Sequence, residues 1–227
     1  MEATVLIDFN EAGYPSRGEP YRSELAVTAA TAIAYAVSIL NQQIGLASNG
    51  RDAVDRIREE TLSAKERPTT AEFATRLAAR EGFELKEEAD RMRPVVVDTR
   101  RGIDQFQQIR EALARLELTN GMTFDRLVIE MLPRIARDAT VICLLPRVPI
   151  ETSLALGHLR RQGFAVSVLL IGLADDGGDA RVVAAGRLLA EGIRDVRFIN
   201  SETELMALGD RMAMAAPSDY GIHAALA

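Results

Sequence analysis

Apolar residues gather in short continuous runs separated by stretches of helical spacing. The first run, Ala3-Thr4-Val5-Leu6-Ile7-Asp8, starts almost at the beginning of the chain and reads as a buried strand. Further strands are predicted at Gln43 to Ser48, Pro94 to Asp98, Thr140 to Leu145, Ala165 to Leu173 and Val196 to Ile199. Proline at the head of the third costs nothing there, because the first residue of a strand tolerates a missing N–H. Strands that are apolar throughout must be covered on both faces, which requires a mainly parallel sheet with helices on either side. The prediction is one α/β, doubly wound, six-stranded domain over residues 1–214.

The helices follow from periodicity and punctuation. An Ala-rich helix from Arg22 to Leu40 is apolar on most sides, so it is expected to be buried on most sides. Ile103, Phe106, Ile109, Leu113 and Leu116 recur every three or four positions and predict an amphipathic helix that stops near Thr119-Asn120-Gly121. Thr123 is a good N-cap for the next helix, which buries Leu127, Val128, Met131 and Ile135 and is kinked or shortened by Pro133. Pro149 to Gln162 is a helix with proline at its first position and Gly163 as its stop. Asp175 to Asp179 forms a Gly-Asp loop, Ala180 to Glu191 a helix, and Ser201 with Glu204 a capping box for a last helix carrying Leu205, Leu208 and Met212. Ala215 to Ala227 reads as a flexible tail.

Between Arg51 and Arg93 the texture changes: about half the positions are charged, and sparse apolar residues (Val54, Ile57, Phe73, Leu77) keep helical spacing. This is a charged helical insertion of two or three short helices, broken at Pro68 and Gly82. Such a pattern forms a solvated face or a docking surface.

Composition narrows the chemistry. Among 227 residues, 33 acidic side chains outnumber 27 basic ones, giving a net charge of −6. Duplex binding rests on clustered Lys and Arg, so nucleic acid is not expected as the main partner. A single cysteine, Cys143, forms no internal disulfide and sits mid-strand as a buried thiol. No phosphate-cradling Gly-x-Gly-x-x-Gly or Gly-x₄-Gly-Lys-Ser/Thr is present. Leu25 to Leu40 falls short of the ~20 apolar residues that cross a bilayer. A chain that begins inside its own first strand suggests a piece of something longer.

In open parallel sheets ligands bind beyond the carboxyl ends of the strands. That directs attention to Asp8-Phe9-Asn10-Glu11-Ala12, to Thr123 and to Pro146-Arg147. Asp after the first strand, a long Ala-rich helix, a short second strand, an edge strand and a Gly-x-Thr loop, then alternating strands and helices, together resemble a von Willebrand factor type A domain. Within it, Ala112 to Thr119, Ala139 to Pro146 and Leu159 to Ile171 resemble the bacterial domain of unknown function 58 family.

The resemblance implies a Rossmann-like sheet with one antiparallel edge strand. It also implies a metal-ion-dependent adhesion site: Asp-x-Ser-x-Ser after the first strand, a Thr in a later loop and an Asp after the fourth strand, holding Mg²⁺ through oxygen ligands. Asp8 matches the first Asp and Thr123 the Thr. Asn10 replaces the first Ser, Ala12 the second, and Pro146-Arg147 stands where the last Asp belongs. The site is therefore degenerate, with Glu11 or Glu151 as substitute oxygen donors if Mg²⁺ binds. In the plainer alternative, Asp8 and Asn10 hydrogen-bond neighbouring loop N–H groups.

The resemblance further implies a non-enzymatic interaction domain of a bacterial protein. Its longer form carries membrane helices, places the domain at the cytoplasmic face of the inner membrane and works with a MoxR-type AAA+ ATPase. The contact surface is then the crest of the loops Phe9 to Glu19, Thr119 to Thr123 and Pro146 to Pro149, with Asp8, Asn10, Thr123 and Arg147 as candidate binding residues and the insertion rising beside it. The alternative is a Rossmann-like hydrolase or phosphatase using Asp8. Haloacid-dehalogenase-type phosphatases also place an Asp after the first strand, but need a second Asp where this chain has Asn10.

Overall fold

The computed structural model describes residues 2–15, 19–65, 92–172 and 178–207. Six strands form one sheet: β1 (Glu2–Ile7), β2 (Gln43–Ser48), β4 (Val95–Arg100), β6 (Thr140–Leu145), β7 (Ala165–Ile171) and β8 (Asp195–Ile199). Their spatial order is β4-β2-β1-β6-β7-β8. All neighbours pair in parallel except β4, which runs antiparallel on β2 at the edge. The fold is doubly wound, Rossmann-like and of von Willebrand factor type A form, with its order reversing between β1 and β6.

Alternate residues of the strands feed two cores. On one face Val5, Ile7, Ile44, Leu46, Leu144, Leu169 and Ile171 pack under α1 (Tyr21–Ile39) and a helix at Ile103–Ala114. On the other, Leu6, Val141, Cys143, Leu145, Val168 and Leu170 pack under helices at Phe124–Met131, Ile150–Arg161 and Gly178–Ala190. In chain order α2 is Ala53–Lys65, and these four are α3, α4, α5 and α6. The alanines of α1 matter for closeness: Ala26, Ala29, Ala30 and Ala34 are buried against the sheet and α3. The opposite side of α1 is open, with Thr28, Ala32, Tyr35 and Ile39 exposed, so the helix buries one face rather than most of its surface. Among the described residues no helix is long and apolar enough to cross a membrane.

Several boundaries differ from the sequence expectation. α3 ends at Ala114, capped through the Arg115 N–H, and Leu116 belongs to a strand instead. Ile103 heads the helix and is 60% exposed. Pro133 shortens α4, which stops at Met131 and gives way to a short 3₁₀ turn, Leu132–Arg134. Pro149 is the N-cap of α5 rather than its first residue, and Gly163 follows with a positive φ of 97°. Ser201 accepts from the Glu204 N–H (3.2 Å), while the Glu204 carboxylate reaches the Asn200 N–H (2.8 Å), one residue before the capping-box position.

The largest departure lies at the root of the insertion. It opens not with a helix but with β3 (Arg51–Asp52), which pairs antiparallel with β5 (Leu116–Glu117), and only then enters α2. Arg56 holds Glu117 by two hydrogen bonds (2.7 and 3.0 Å), Arg115 reaches Asp52 (3.2 Å), and the Ala53 N–H donates to the Arg115 carbonyl (2.9 Å). Phe73 and Leu77, the expected breaks at Pro68 and Gly82, Leu173, the Asp175 to Gly177 part of the acidic loop, Leu208, Met212 and the tail from Ala215 lie outside the described residues.

Candidate functional site

Parallel register builds the site. Ile7 pairs with Ser48 on one side and Leu144 on the other, so the residues leaving these three strands emerge together. They are Asp8, Asn49 and the segment ending in Pro146-Arg147. Gly13 closes the first loop against the last: a side chain there would run into the Pro146 ring. Gly50 does the same behind, where an added Cβ would meet Leu116, the Glu117 carbonyl and Phe9 at 2.8 to 2.9 Å.

Asp8 is buried, and its Oδ1 accepts from the Asn10 N–H (3.1 Å) and Asn49 Nδ2 (2.8 Å). Asn10 works at both ends of its amide. Its Oδ1 accepts from the Ala12 N–H (3.1 Å), and its Nδ2 donates to the Met122 carbonyl (3.1 Å). Asn49 is fully buried and does likewise: Oδ1 accepts from the Phe9 N–H (2.7 Å), while Nδ2 serves the Met122 carbonyl (3.0 Å) as well as Asp8. The Tyr14 hydroxyl donates to the Asp8 carbonyl (2.6 Å). Thr119 completes the weave, donating its N–H to the Phe9 carbonyl (3.2 Å) and accepting from the Glu11 N–H (3.0 Å).

Burial is the largest influence on the Asp8 carboxyl and pushes its pKa up. The Asn49 and Asn10 hydrogen bonds and the Arg147 charge pull it back, and the Asp125 charge adds to the rise. Burial likewise raises the Tyr14 phenol well above its usual value, keeping it a donor, and raises the Cys143 thiol inside its strand. His158 is exposed on α5, far along the helix from the crest.

Asp8, Asn10, Thr123 and Arg147 line one cleft of about 850 Å³, together with Asn120, Asp125, Arg126, Pro149, Glu151 and others. Thr123 stands at the N-cap of α4 in extended conformation, yet its hydroxyl makes no capping hydrogen bond. This corrects the expectation of a working N-cap. Arg147 is exposed at the rim. The loop beneath it is pinned from α6, where Arg187 donates to the Val148 carbonyl (2.6 Å).

The donor set does not fit a divalent cation. Mg²⁺ requires near-octahedral oxygen ligands. Here one oxygen of Asp8 already accepts two hydrogen bonds, the Asn10 amide is engaged at both ends, and a guanidinium takes the position of the last carboxylate. Among the described residues no group of three or more His, Cys, Asp or Glu side chains is placed to hold a metal. Asn49, which reads in the sequence only as half of an Asn-Gly turn, is the buried residue that holds Asp8, and sequence reasoning missed it along with Asp125 and Arg126 on the cleft wall.

No protein-family profile and no curated protein matches the chain by sequence. Solved structures do share its fold. The pilus adhesin SpaC from Lactobacillus rhamnosus GG, in its open conformation, is similar over 94% of this chain and 30% of its own, with a TM-score of 0.58 and 12% identity. A second form of that adhesin gives the same values. Proximal thread matrix protein 1 from the mussel byssus is similar over 93% of this chain and 47% of its own, at a TM-score of 0.51 and 8% identity. The chain thus spans under half the length of each, and at such identities the likeness defines the class of fold alone: a doubly wound, Rossmann-like α/β domain.

Proposed function

We propose that this chain is a non-enzymatic protein-interaction domain, of the domain of unknown function 58 kind, with a degenerate metal-ion-dependent adhesion site. The observation that carries the reading is the fastening of the charged insertion to the crest. β3 and α2 are locked onto β5 by Arg56–Glu117 and Arg115–Asp52, and the chain leaving β5 reaches Thr119, which brackets Phe9 to Glu11 beside the cleft. The described root of the insertion, Arg51 to Lys65, is thereby joined to the loops that border the cleft, which supports one composite surface toward a partner. A MoxR-type AAA+ ATPase and a membrane-anchored longer form at the cytoplasmic face of the inner membrane are the expectations that come with the family resemblance.

The state of Asp8 supports binding over catalysis. A nucleophilic carboxylate must be ionised and free to attack, whereas burial raises the pKa of this one and Asn49 and Asn10 hold its Oδ1.

The reading is tested by affinity capture with purified MoxR-type ATPase, using the intact chain and one in which residues 51–93 are replaced by a short linker. Capture by the first and not the second is expected, and equal capture would overturn the role given to the insertion. A parallel melt with millimolar Mg²⁺ or Mn²⁺ separates the alternatives. A cation bound in the cleft would raise stability by RT ln(1 + [L]/Kd), and the present reading expects no shift.

A further inference from the structure

We infer that the outward face of α1 binds a second copy of this chain, the two helices lying antiparallel about a two-fold axis at Ala32. The inference is independent of the interaction-domain reading above. From Leu25 to Leu40 the sequence holds no charged side chain. Yet Thr28, Ala32, Tyr35, Ala36, Ile39 and Leu40, spaced along one side of the helix, are exposed. A solvated helix face ordinarily carries charge. The neighbouring helix extends the patch. Tyr35 packs on Phe106 with ring centroids 5.5 Å apart, and α1 ends where α3 begins, since Ile44, just after α1, pairs with Arg100, just before α3. One turn beyond the ring contact, Ile39 and Ile103 are thus brought to the same end of the helix pair. Tyr35, Ile39, Leu40 and Ile103 are 51, 63, 66 and 60% exposed. Together they bare apolar surface on the order of 400 Å², enough on a monomer to mark an interaction site.

The face is complementary to itself. Its half nearer the crest is slender, with Thr28 and Ala32, and its far half is bulky, with Tyr35, Ile39 and Leu40. An antiparallel partner therefore sets large side chains against small ones, and small residues at the crossing let the helix axes approach closely. The ends match in charge as well. Glu24 is an exposed acid one turn before Thr28, and Arg100 and Arg101 are exposed bases at the other end. With Ala32 on the axis, Glu24 of each copy falls opposite Leu40 of the other, at the end that carries those arginines, and does so twice by symmetry. An anionic membrane suits the face less. Interfacial helices flank their apolar side with Lys and Arg, whereas the only base in α1 is Arg22, which is buried, in a chain of net charge −6.

The size of the patch sets the strength of the contact. Two such surfaces fall short of the roughly 1,200 to 2,000 Å² buried in stable complexes. The dimer is therefore weak and depends on concentration. α1 covers the sheet face opposite that of α4 and α5, whose first turns border the crest cleft. Each copy keeps its cleft, so a partner bound there meets two sites on one particle.

The test is sedimentation equilibrium of the whole chain over a range of concentrations, in which the mass should rise from one chain toward two. Ala32→Glu sets like charges against each other on the axis and should weaken association by about tenfold or more. Glu24→Arg, which turns the end pairs repulsive, should weaken it by roughly threefold to tenfold. Both positions are exposed, so the variants should fold, as unchanged melting curves in dilute solution would establish. Cross-linking reads the geometry. Cys143, the one native cysteine, is fully buried, which leaves an introduced surface thiol as the one open to a mild oxidant. Ala32→Cys should give a disulfide-linked dimer, and Thr28→Cys mixed with Ala36→Cys should link to each other more than either links to itself. A chain still monomeric at about 1 mM, association that ignores Ala32→Glu or Glu24→Arg, or a dimer that Ala32→Cys fails to link would each overturn the inference. So would a monomer that binds anionic vesicles through this face, or one whose Ala32→Cys is shielded from maleimide by the chain's own residues.

Discussion

Around Asp8 the polar side chains of the crest are committed to the protein itself, whereas around Arg147, across the same cleft, they are left facing outward. Asn10 and Asn49 use both ends of their amides inside the fold, and every one of their partners belongs to the loops they hold together. Thr123 and Pro149 begin helices without capping them. The contrast teaches where the crest keeps its rigidity. Buried amides tie the loops after β1 and β2 to the Met122 loop ahead of α4 as one unit, while the Arg147 side stays exposed.

The sharpest way to break this comparison is Asn49→Ala. It leaves the Phe9 N–H without its buried partner, at a cost on the order of 1 to 3 kcal/mol, while Asp8 Oδ1 and the Met122 carbonyl each lose one of two donors and keep the one from Asn10. A loss of about 2 kcal/mol is expected, which in a domain of this size lowers Tm by roughly 4 to 8 °C. A loss below about 1 kcal/mol in chemical denaturation would mean that the closed half is not what holds the crest.

Asp8→Asn probes the same network through pH. The folded carboxyl binds its proton more tightly than the unfolded chain, whose value lies near 3.8. Its contribution to stability is therefore complete below that value and is lost as pH rises through the folded pKa. Asparagine can accept the same two hydrogen bonds without ionising. The variant should match the natural protein at pH below 3.8 and be the more stable of the two at neutral pH. A variant that loses stability on going to neutral pH would reverse the assigned sign.

Arg56→Glu and Glu117→Arg address the hinge between insertion and crest. Both side chains are about one-third exposed, so each single change should cost only about 0.5 to 1 kcal/mol, and the double swap should restore most of it. The more telling readout is hydrogen exchange at the Glu11 amide, which donates to Thr119 two residues beyond Glu117. Faster exchange in the single variants and recovery in the double would show that the strap transmits disturbance from insertion to cleft, and unchanged exchange would show that it does not.

The layers of the fold were legible because they depend on apolar runs and spacings that any strand or helix must show. Asp8, Asn10, Thr123 and Arg147 were legible because ligand crevices lie at strand ends. Asn49 was not, because its importance is set by register: Ser48 opposite Ile7 brings the next residues together, and strands apolar throughout carry no alternation from which register could be read. The β3–β5 pair escaped for a different reason. Each strand has two residues, and Leu116 continues the spacing of Ile109 and Leu113, so it reads as one more turn of α3. The exposed outer face of α1 went unread because Ala, Thr and Tyr fit either side of a helix, and only packing chooses between them.

The smallest expected effect is the most direct test of the open half. Thr at an N-cap usually accepts from a first-turn N–H, and its replacement by alanine costs typically about 1 kcal/mol. The Thr123 hydroxyl makes no such bond, although its backbone is extended as a cap requires. Thr123→Ala should therefore change stability by less than about 0.5 kcal/mol, and Thr123→Asp, which can cap, should stabilise α4. If alanine instead costs the usual amount for a cap, the hydroxyl caps the helix in solution, and Thr123 moves from the open half of the crest to the closed one.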